Sequence, residues 1–393
     1  MSKSKLIYDQ IHGYMNFEPT CLKIIDNPIF QRLRDIKQLG LTHKIFPSAS
    51  HNRFQHSLGV AYLSEKLLVT IRQNQPELNI TDKDILNVKI AGLVHDLGHA
   101  CLSHFFDNMF LKDSKSKYKE HENRSILLLE YIVSKYNITE LDKDDVNFIK
   151  KLLLPDINCQ GFMYQIVSNS KNGLDTDKFD YICRDSMNLG LSYSFDSSRI
   201  LMQARVINNE LCYPEKEVFS IYEMFHTRYR LHKQIYTHPC IQQLEYMYLE
   251  VLNEIDLLLD IKGSIDEPEK FIKITDNIFD IIKYSDNKKY NFAKKLMDRI
   301  HHRKLYKFIE EINLNIDDNI DNKIIELRRK YNSEHYIIHK TTIGYTSNNN
   351  NPVDNVSFYK SNEPYISYNL SKEKVSKLIP NVFQETIIRI FEK

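Results

Sequence analysis

Histidines are concentrated in one stretch of this sequence. Seven of the 15 histidines fall between His43 and His121, and most of them belong to two groups, HNRFQH at 51–56 and HDLGHACLSH at 95–104. Neutral imidazoles bind transition metals, and histidine titrates close to neutral pH, so it can also give or take a proton in catalysis. The clustering therefore indicates metal or acid–base chemistry in this region.

A histidine followed directly by an aspartate closes an apolar segment. Residues 85–94 have helical apolar spacing, and His95 and Asp96 come next. Burying such a pair without a partner is costly, and a metal ion is a natural partner for an adjacent imidazole and carboxylate. The alternative is a hydrogen-bonded polar pair at a helix end, which the four histidines between 93 and 121 make the less favoured interpretation.

Two later segments carry reactive side chains four residues apart, which places them on one helical face. The first face consists of Asp177, Tyr181 and Asp185, with Lys178 at its border, and the second of Arg228, His232 and Tyr236. A charged stripe is usually a solvated surface, but such a surface does not need tyrosine and histidine. The spacing alone leaves a functional face and a solvated face equally open.

The elements that must position these residues are mostly helical. Apolar residues recur at helical spacing in segments 28–39, 57–71, 85–97, 124–136, 221–236 and 241–259. Asn27-Pro28 and Gly40 are start and stop signals for the first of them. We expect a loop over 260–270.

The C-terminal segment has a different pattern. β-like runs at 335–338 and 356–359 precede a final helix predicted over 372–391, and polar linkers are expected at 313–321 and 348–351. The sequence therefore predicts a mainly α protein, with a helical catalytic domain over 1–310 and a small α+β lobe over 311–393 that serves regulation or oligomerisation.

Composition excludes several protein classes. Glycine is scarce, at 10 of 393 residues, and neither a Gly-Lys dipeptide nor Gly-x-Gly-x-x-Gly occurs, so P-loop and Rossmann nucleotide folds are excluded. The net charge of +1 argues against coating nucleic acid by charge alone. No signal peptide or run of 18 apolar residues occurs, and the six cysteines are scattered. We expect a reduced, soluble, intracellular protein, cytoplasmic or nuclear, without a membrane partner.

Longer motifs connect these residues to a known family. The spacing H…HD…D resembles that of the HD-domain metal phosphohydrolases. The closer resemblance is to the sterile-alpha-motif and HD-domain deoxynucleoside triphosphate (dNTP) triphosphohydrolases, through SHNRFQHSLG at 50–59, IAGLVHDLGHACLSH at 90–104 and YEMFHTRYRLHKQIY at 222–236. It runs from about Lys5 to the C-terminus, so it implies the HD-domain helical fold without a sterile-alpha-motif module.

The resemblance implies a reaction and the residues that perform it. The family cleaves a dNTP between the 5′ oxygen and the α-phosphorus, releasing deoxynucleoside and triphosphate. The implied ligands of one divalent metal (Fe, Mn or Zn, with additional Mg bridging nucleotide phosphates) are His56, His95, Asp96 and Asp177. The implied acid–base and phosphate-contacting residues are His99, His104, His121 and Glu122, the last as an orienting group. The implied substrate-binding residues are Gln38, Arg53, Lys178, Tyr181, Asp185, Arg228, His232 and Tyr236.

The resemblance also implies regulation by nucleotides. The guanine-reading activator site, for GTP or dGTP, would consist of Lys5, Asp26, Gln31, Arg34, Arg303 and Lys307. A second activator site for a dNTP would keep Arg199, Lys216 and Lys372, but Tyr8, Pro214 and Pro239 replace polar or basic groups there, so we expect weaker binding. Asp26 has the alternative role of capping the helix at Pro28. Family members assemble into dimers and tetramers, so a homo-oligomer is expected.

Two other functions stay open at the sequence level. One is another HD phosphohydrolase activity, on a nucleotide or on single-stranded nucleic acid. The other is a silent scaffold that binds nucleotides or nucleic acid. Lys178, Arg228, Tyr236 and Gln38 favour a closed dNTP pocket over the first, and the complete ligand set argues against the second.

Overall fold

The computed structural model describes residues 3–156, 158–315, 318–346 and 349–393; each predicted polar linker includes residues outside these ranges. The α-helices of the described residues are α1 (Pro19–Ile25), α2 (Pro28–Gln31), α3 (Arg53–Asn74), α4 (Asp82–Val94), α5 (His121–Lys135), α6 (Lys143–Leu153), α7 (Thr176–Asn188), α8 (Ser197–Met202), α9 (Val218–Leu231), α10 (Pro239–Leu259), α11 (Pro268–Phe271), α12 (Ile278–Tyr284), α13 (Asn291–His301), α14 (Ile320–Lys330) and α15 (Lys372–Val375). The strands are β1 (Lys5–Asp9), β2 (Gly13–Phe17), β3 (Arg205–Ile207), β4 (Glu210–Pro214), β5 (Lys307–Leu314), β6 (Tyr336–Gly344), β7 (Ser357–Lys360), β8 (Glu363–Asn369) and β9 (Gln384–Glu392). The prediction of a mainly α protein is confirmed.

Three helices that meet near the histidines, α3, α4 and α7, begin at side-chain caps. α3 starts after Asn52, which exchanges hydrogen bonds with Gln55, and α4 starts with the same reciprocal arrangement between Thr81 and Asp84. Asp175 caps α7 by accepting a hydrogen bond from a backbone N–H of its first turn. Caps of this kind satisfy N–H groups that have no partner inside the helix. They fix where each helix begins, and with it the face that each helix turns inward.

Helices α3 and α4 cross at a close contact. A Cβ atom on Gly92 of α4 would lie 2.8 Å from the Ala61 backbone of α3, and one on Gly59 of α3 would overlap the Asp180 carboxylate of α7. Gly92 therefore lets the α3 and α4 backbones approach closely, and Gly59 leaves room for the Asp180 side chain. α3 carries a histidine near its start and α4 ends just before another, so the crossing brings these two histidines together.

The strands of the described residues form three sheets. They are the hairpin β1–β2, a four-stranded sheet in the order β3-β4-β7-β8 and a three-stranded sheet in the order β5-β9-β6. β7 pairs in parallel with β4, with Cys212 opposite Ser357, so a strand from the C-terminal segment completes a sheet begun in the helical part. The predicted β-like runs at 335–338 and 356–359 are confirmed as parts of β6 and β7. The predicted domain boundary at 310 falls inside β5 and stays a prediction.

The hydrophobic core is shared between the helical part and the C-terminal segment. Its buried residues extend from Met15 in β2 through the long helices to Val356, Phe358 and Phe383. None of the described helices combines the length and apolar character needed to cross a membrane.

The predicted final helix over 372–391 is wrong. Only Lys372–Val375 is helical, and Gln384–Glu392 forms the central strand of its sheet. Ile387, Ile388, Ile390 and Phe391 are all fully buried because both faces of this strand are covered. An apolar run without alternation imitates helical spacing, which is the reason for the error.

The structure departs from the sequence prediction in three further places. The helix expected over 28–39 ends at Gln31 and continues as a 3₁₀ turn over Arg32–Asp35, since buried Arg32 donates to the carbonyls of Leu97 and His99. The loop expected over 260–270 contains a 3₁₀ turn and the start of α11. The hairpin β1–β2 was not predicted. Such short strands contain too few residues to show a clear alternation of apolar and polar side chains in the sequence.

Candidate active site

Four side chains from three parts of the chain converge on one point. His56 Nε2 lies 3.1 Å from His95 Nε2 and 3.0 Å from a carboxylate oxygen of Asp177. Asp96 contributes oxygens 3.4 Å from His56 Nε2 and 3.5 Å from His95 Nε2. Ligand atoms of His56, His95 and Asp177 all lie within 4.8 Å of one another. These are the four residues that the sequence predicted as metal ligands.

Each of the two histidines is oriented through its other ring nitrogen. His56 Nδ1–H donates to the Asp180 carboxylate at 2.8 Å, and His95 Nδ1–H donates to the Gly92 carbonyl at 2.8 Å. Both rings therefore present Nε2 to the shared point. Metal-binding histidines are typically held in this way, by a carboxylate or a carbonyl behind the ring.

Asp180 is the centre of a buried polar network that sequence analysis missed. Its oxygens also accept hydrogen bonds from Arg184 at 2.8 and 2.9 Å, and His12 Nε2 lies 2.6 Å away. Arg184 in turn donates to Asp9 at 2.8 Å. The hairpin β1–β2 thereby reaches the residues that orient His56. Asp180 stands three positions after Asp177, which is the one sequence signal that pointed to it.

The electrostatics of this point favour a cation. Burial alone lowers the pKa of His56, but its hydrogen bonds to Asp177 and Asp180 outweigh burial and raise it to about 10. Burial raises the pKa of Asp96, yet the nearby Arg53 charge outweighs it and holds this pKa well below its usual range. Hydrogen bonds from the two histidines do the same for Asp177. Ionised carboxylates and correctly turned imidazoles are a donor set that fits a divalent transition metal.

Three further histidines pack beside this point. The rings of His99 and His121 stack with centroids 3.8 Å apart, and the His104 ring lies 4.8 Å from that of His99 and 5.3 Å from that of His121. His99 Nε2 lies 3.3 Å from Asp96 Oδ1. The structure therefore places the predicted acid–base histidines next to the predicted metal ligands.

The three histidines differ in their tendency to carry a proton. Burial holds the pKa of His99 well below its usual range, and desolvation together with the Arg53 charge lowers the pKa of His104 to about 4. Burial also acts on His121, but its hydrogen bond to Asp107 outweighs burial and raises its pKa. Of the three histidines, His121 is therefore the one that most readily holds a proton.

Asp107 is the carboxylate that orients His121, and sequence analysis missed it. His121 donates to Asp107 both through Nδ1, at 2.9 Å, and through its backbone N–H, at 3.0 Å. Glu122, which was predicted to orient, lies farther from His121 Nδ1 at 3.5 Å. Buried Arg124 pairs with the other Asp107 oxygen and keeps the carboxylate ionised.

A cavity of about 710 Å³ opens beside the four convergent side chains. Of all the predicted metal, catalytic and substrate-binding residues, two lie behind its wall, His56 and His99. The others form the wall: Gln38, Arg53, His95, Asp96, His104, His121, Glu122, Asp177, Lys178, Tyr181, Asp185, Arg228, His232 and Tyr236. The cavity also continues past them to α10 and β6, which the sequence did not predict.

One end of the cavity offers hydrogen-bond groups of the kind that bind a sugar. Tyr236 Oη–H donates to Asp185 at 2.5 Å, and His51 Nε2 lies 2.6 Å from the other Asp185 oxygen. The buried Gln38 amide oxygen has no hydrogen-bond partner among the described residues. His51 was noted in the sequence only as part of a histidine group and received no role there.

Cations line another part of the cavity. Lys178 donates to Asp175 at 2.8 Å; burial lowers the pKa of Lys178, but the Asp175 charge outweighs burial and raises it, so the lysine stays protonated. Arg228 donates to the Tyr181 hydroxyl at 3.2 Å and to two backbone carbonyls at the end of β6. Burial lowers the pKa of the neighbouring His232 to about 3.

Arg53 lies deeper than the other cations. It pairs with Asp96 and donates to Ser103 Oγ at 3.0 Å and to the Gln38 carbonyl at 3.3 Å. Its charge is therefore directed at Asp96, one of the four convergent residues, and its side chain joins two backbone segments of the cavity wall.

The residues predicted to bind the guanine activator make several separate local contacts. Lys5 pairs with Asp26 at 3.2 Å, with both side chains exposed, and Arg34 donates to Gln31 at 2.8 Å. Arg303 donates to the Lys44 carbonyl at 2.5 Å. Lys307 begins β5 and lies 4.0 Å from Glu392. The helix start at Pro28 is capped by Asn27, so Asp26 does not have the capping role considered above.

The residues predicted for the second activator site are held by local contacts. Arg199 pairs with Glu217 at 2.7 Å, Lys216 stands in the 3₁₀ turn just before α9, and Lys372 hydrogen-bonds Asn381.

Comparisons with known proteins agree with this geometry. The HD domain family model matches residues 53–157. The deoxynucleoside triphosphate triphosphohydrolase SAMHD1 homolog of Dictyostelium discoideum is 38% identical to this chain, over 99% of the chain and 77% of that protein. The Homo sapiens deoxynucleoside triphosphate triphosphohydrolase SAMHD1 is 36% identical, over 99% of the chain and 70% of that protein. The HD domain-containing protein L394 of Acanthamoeba polyphaga mimivirus is 35% identical, over 99% of the chain and 92% of that protein. With identity spread over nearly the whole chain, and with the HD ligands converging in space, the chain belongs to the SAMHD1 family of HD-domain deoxynucleoside triphosphate triphosphohydrolases.

Proposed function

We propose that this chain hydrolyses dNTPs to deoxynucleoside and triphosphate in the cavity described above. The observation that carries the proposal is that one cavity is lined by three of the four convergent side chains (His95, Asp96 and Asp177), by the cations Lys178 and Arg228, and by the Asp185–Tyr236 pair. The α-phosphate of a dNTP would lie at the convergent side chains, the rest of its triphosphate at Lys178 and Arg228, and its deoxyribose at the Asp185–Tyr236 pair.

His56, His95, Asp96 and Asp177 would hold the divalent metal. When bound there, an Fe, Mn or Zn ion supplies Lewis-acid polarisation of the α-phosphate and lowers the pKa of water. Additional Mg²⁺ accompanying the nucleotide phosphates is part of the proposal.

The reaction requires one proton at the leaving oxygen. Water attacks the α-phosphorus and gives up one proton as the new P–O bond forms. The bond to the 5′ oxygen breaks, and that oxygen takes up one proton to become the deoxynucleoside hydroxyl, so the protons balance. We assign His121, whose pKa is raised by its hydrogen bond to Asp107 in spite of burial, to phosphate contact. His104 is neutral in the free protein, but the arriving triphosphate charge raises its pKa, so it can bind a proton and deliver it to the 5′ oxygen.

The part of the cavity around Asp185 and Tyr236 accounts for a preference for deoxynucleotides over ribonucleotides. Asp185 and the unpartnered Gln38 oxygen offer acceptors to the 3′-hydroxyl, and Tyr236, fixed by its hydrogen bond to Asp185, fills the space next to it. A 2′-hydroxyl would meet Tyr181 and Tyr236, so rNTPs are expected to be poor substrates. A site of this kind discriminates through steric exclusion and unpaired polar groups.

The experiment is to incubate the purified, metal-loaded chain with each dNTP and with ATP, and to separate the products. We expect triphosphate and deoxynucleoside from dNTPs. Monophosphate with pyrophosphate, cleavage of a single-stranded oligonucleotide instead, or equal rates for ATP and dATP would contradict the proposal. His95→Ala/Asp96→Ala should abolish turnover and metal content, whereas His302→Ala/Asp298→Ala, an exposed pair at 3.2 Å on α13, serves as the matched control.

Regulation forms a separate part of the proposal. Lys5, Asp26, Gln31 and Arg34, together with Arg303 and Lys307, would bind GTP or dGTP and promote assembly into a homo-oligomer. The Asp26 carboxylate can accept hydrogen bonds from guanine N1–H and its amino group, and its exposed pairing with Lys5 leaves it accessible. The second site, with Arg199, Lys216 and Lys372, would bind its nucleotide weakly.

All six cysteines are free thiols, which supports a reducing intracellular compartment.

The test measures dATP hydrolysis and sedimentation with and without GTP, for the native chain and for Asp26→Ala. We expect GTP to raise both the rate and the oligomer size of the native chain only. Identical values in all four conditions would show that guanine control is absent from this chain.

A further inference from the structure

The turn that presents His104 has an unusual backbone conformation. Leu102 and Ser103, the two residues before His104, have φ angles of +61° and +58°. This left-handed region is disfavoured for residues with a side chain, and leucine, unlike asparagine or glycine, has no local compensation there. Two consecutive residues of this kind persist only where their surroundings hold them in place.

Asp276 holds this turn from outside the cavity. One of its oxygens accepts a hydrogen bond from the Leu102 N–H at 2.7 Å, and the other accepts one from the Lys37 N–H at 2.8 Å. Asp276 lies in the loop between α11 and α12, far in sequence from both segments. Its carboxylate therefore joins two backbone segments that each form part of the cavity wall, at 38–42 and 102–105.

Ser103 supports the same junction from the other side. Its hydroxyl donates to the Lys37 carbonyl at 2.5 Å and accepts from Arg53 Nε at 3.0 Å. Gly40 permits the close approach, since a Cβ there would lie 2.7 Å from the Leu102 carbonyl oxygen. The two segments are thus joined by hydrogen bonds on both sides of the turn.

His104 depends on this turn for its orientation. Its ring touches those of His99 and His121, but within the described residues no side chain or backbone group hydrogen-bonds to it. His121 differs, because Asp107 holds it directly. The direction in which His104 points is therefore set by the backbone from which it extends.

We propose that Asp276 is a positioning residue for catalysis, whose carboxylate fixes the strained Leu102–Ser103 turn and thereby aims His104 at the leaving 5′ oxygen. The inference rests on the proposed function, since it assigns the proton delivery to His104. Asp276 itself touches neither the substrate nor the four metal ligands.

The primary variant is Asp276→Asn, which keeps the shape but places an amide NH₂ against one of the two backbone N–H groups. A misplacement of a catalytic group by about 1 Å can cost about 100-fold in rate, so we expect kcat to fall by about 10- to 100-fold with KM changed less than about threefold. Metal content should stay full. The matched control is Asp145→Asn on α6, another buried carboxylate that accepts a backbone N–H and a side-chain amide, away from the cavity.

A second substrate separates positioning from a general loss of structure. In a deoxynucleoside triphosphate whose bridging 5′ oxygen is replaced by sulfur, the thiolate leaves without needing a proton. The rate deficit of Asp276→Asn should shrink strongly with this substrate, whereas a merely structural defect slows both substrates alike. Ser103→Ala loosens the same turn and carries the same test if Asp276→Asn does not fold.

Two results would overturn the proposal: an Asp276→Asn rate equal to that of Asp145→Asn, or an equal deficit with the oxygen and sulfur substrates. The native chain keeps the two hypotheses distinct. If it releases no triphosphate from dNTPs, the proposed function fails; if it does and the variants behave alike, only the role of Asp276 fails.

Discussion

Three histidines at this site are each hydrogen-bonded to an aspartate carboxylate. Asp180 lies behind His56, Asp107 behind His121 and Asp185 beside His51, each at 2.6–2.9 Å. A carboxylate in this position fixes the ring and sets which nitrogen carries the proton. The chemistry of the cavity therefore depends partly on Asp180 and Asp107, which do not line the cavity themselves.

The first prediction concerns Asp180. Asp180→Asn removes the charge behind His56, and loss of such an outer contact typically weakens metal affinity about 10- to 100-fold. We expect a correspondingly larger dissociation constant for the divalent ion, measured by competition with a chelator of known affinity. Asp196→Asn, at the cap of α8, is the control for a helix-associated aspartate elsewhere. Unchanged metal affinity in Asp180→Asn would show that Asp180 contributes to packing alone.

At this scale the sequence indicated the residues that converge at the site, and the carboxylates that orient them were not predicted. His56, His95, Asp96 and Asp177 belong to a spaced motif, and their convergence was predicted. Asp107 stands in the segment FFDNMF and Asp276 in ITDNIF, and neither aspartate belongs to a spaced motif that would assign it a partner. Only the folded chain brings their oxygens against a ring or a backbone N–H.

Helices α3, α4 and α7 act as the frame of the metal centre. Their contacts run through Gly92, which lies against the Ala61 backbone, and through Gly59, which leaves room for the Asp180 and Arg184 side chains. The ligands lie at or beyond helix ends, so small changes in helix separation move them directly. Interiors are packed too densely to absorb such a change locally.

The second prediction tests this frame through Gly92→Ala. Alanine gains about 1 kcal/mol in helix propensity over glycine, but its Cβ would lie 2.8 Å from backbone atoms of Ala61, and overpacking costs about 1–3 kcal/mol. We expect a net loss of stability in thermal unfolding together with reduced metal content, because His95 follows α4. Gly190→Ala is informative as a comparison: its φ of +66° is strained but nothing lies within 4 Å, so stability should fall with metal content intact. Full metal content in Gly92→Ala would contradict the proposed role of the crossing.

Elements were predictable where helical periodicity and caps agreed. The long helices around the site were confirmed because Asn52, Thr81 and Asp175 cap amphipathic or buried segments. β9 was mistaken for a helix because a strand covered on both faces loses its alternation. The 3₁₀ turn after α2 could not be predicted from the sequence. It depends on hydrogen bonds from buried Arg32 to the carbonyls of Leu97 and His99, which lie more than 60 residues away in the chain.

At the scale of the whole molecule, the C-terminal strands are attached to the helical part next to the cavity. β7 completes the sheet of β4, and the end of β6 supplies two carbonyls to Arg228. Arg389 of β9, which is 3% exposed, reaches Thr237 and Gln242, and both of these line the cavity. The distant end of the chain thus helps to shape the substrate site.

The last prediction follows from Arg389. Its guanidinium donates to the Thr237 carbonyl, to Gln242 at 3.0 Å and to Glu311 at 2.7 Å. Arg389→Met keeps the apolar stem but leaves the buried Gln242 oxygen without this donor, and an unpaired buried acceptor costs about 1–3 kcal/mol. We expect a lower unfolding temperature and a higher KM for dNTPs, because the wall formed by Thr237 and Gln242 loses its support.

The effect on kcat should be smaller than the effect on KM, since the metal ligands and the histidine trio lie on other elements. Arg329→Met, at an exposed position of α14, provides the control for loss of an arginine charge from the same region. The measurements are steady-state kinetics and thermal unfolding of both variants beside the native chain. If Arg389→Met lowers stability and leaves KM unchanged, the C-terminal strands support the fold without shaping the cavity, and the link between sheet and substrate site is refuted.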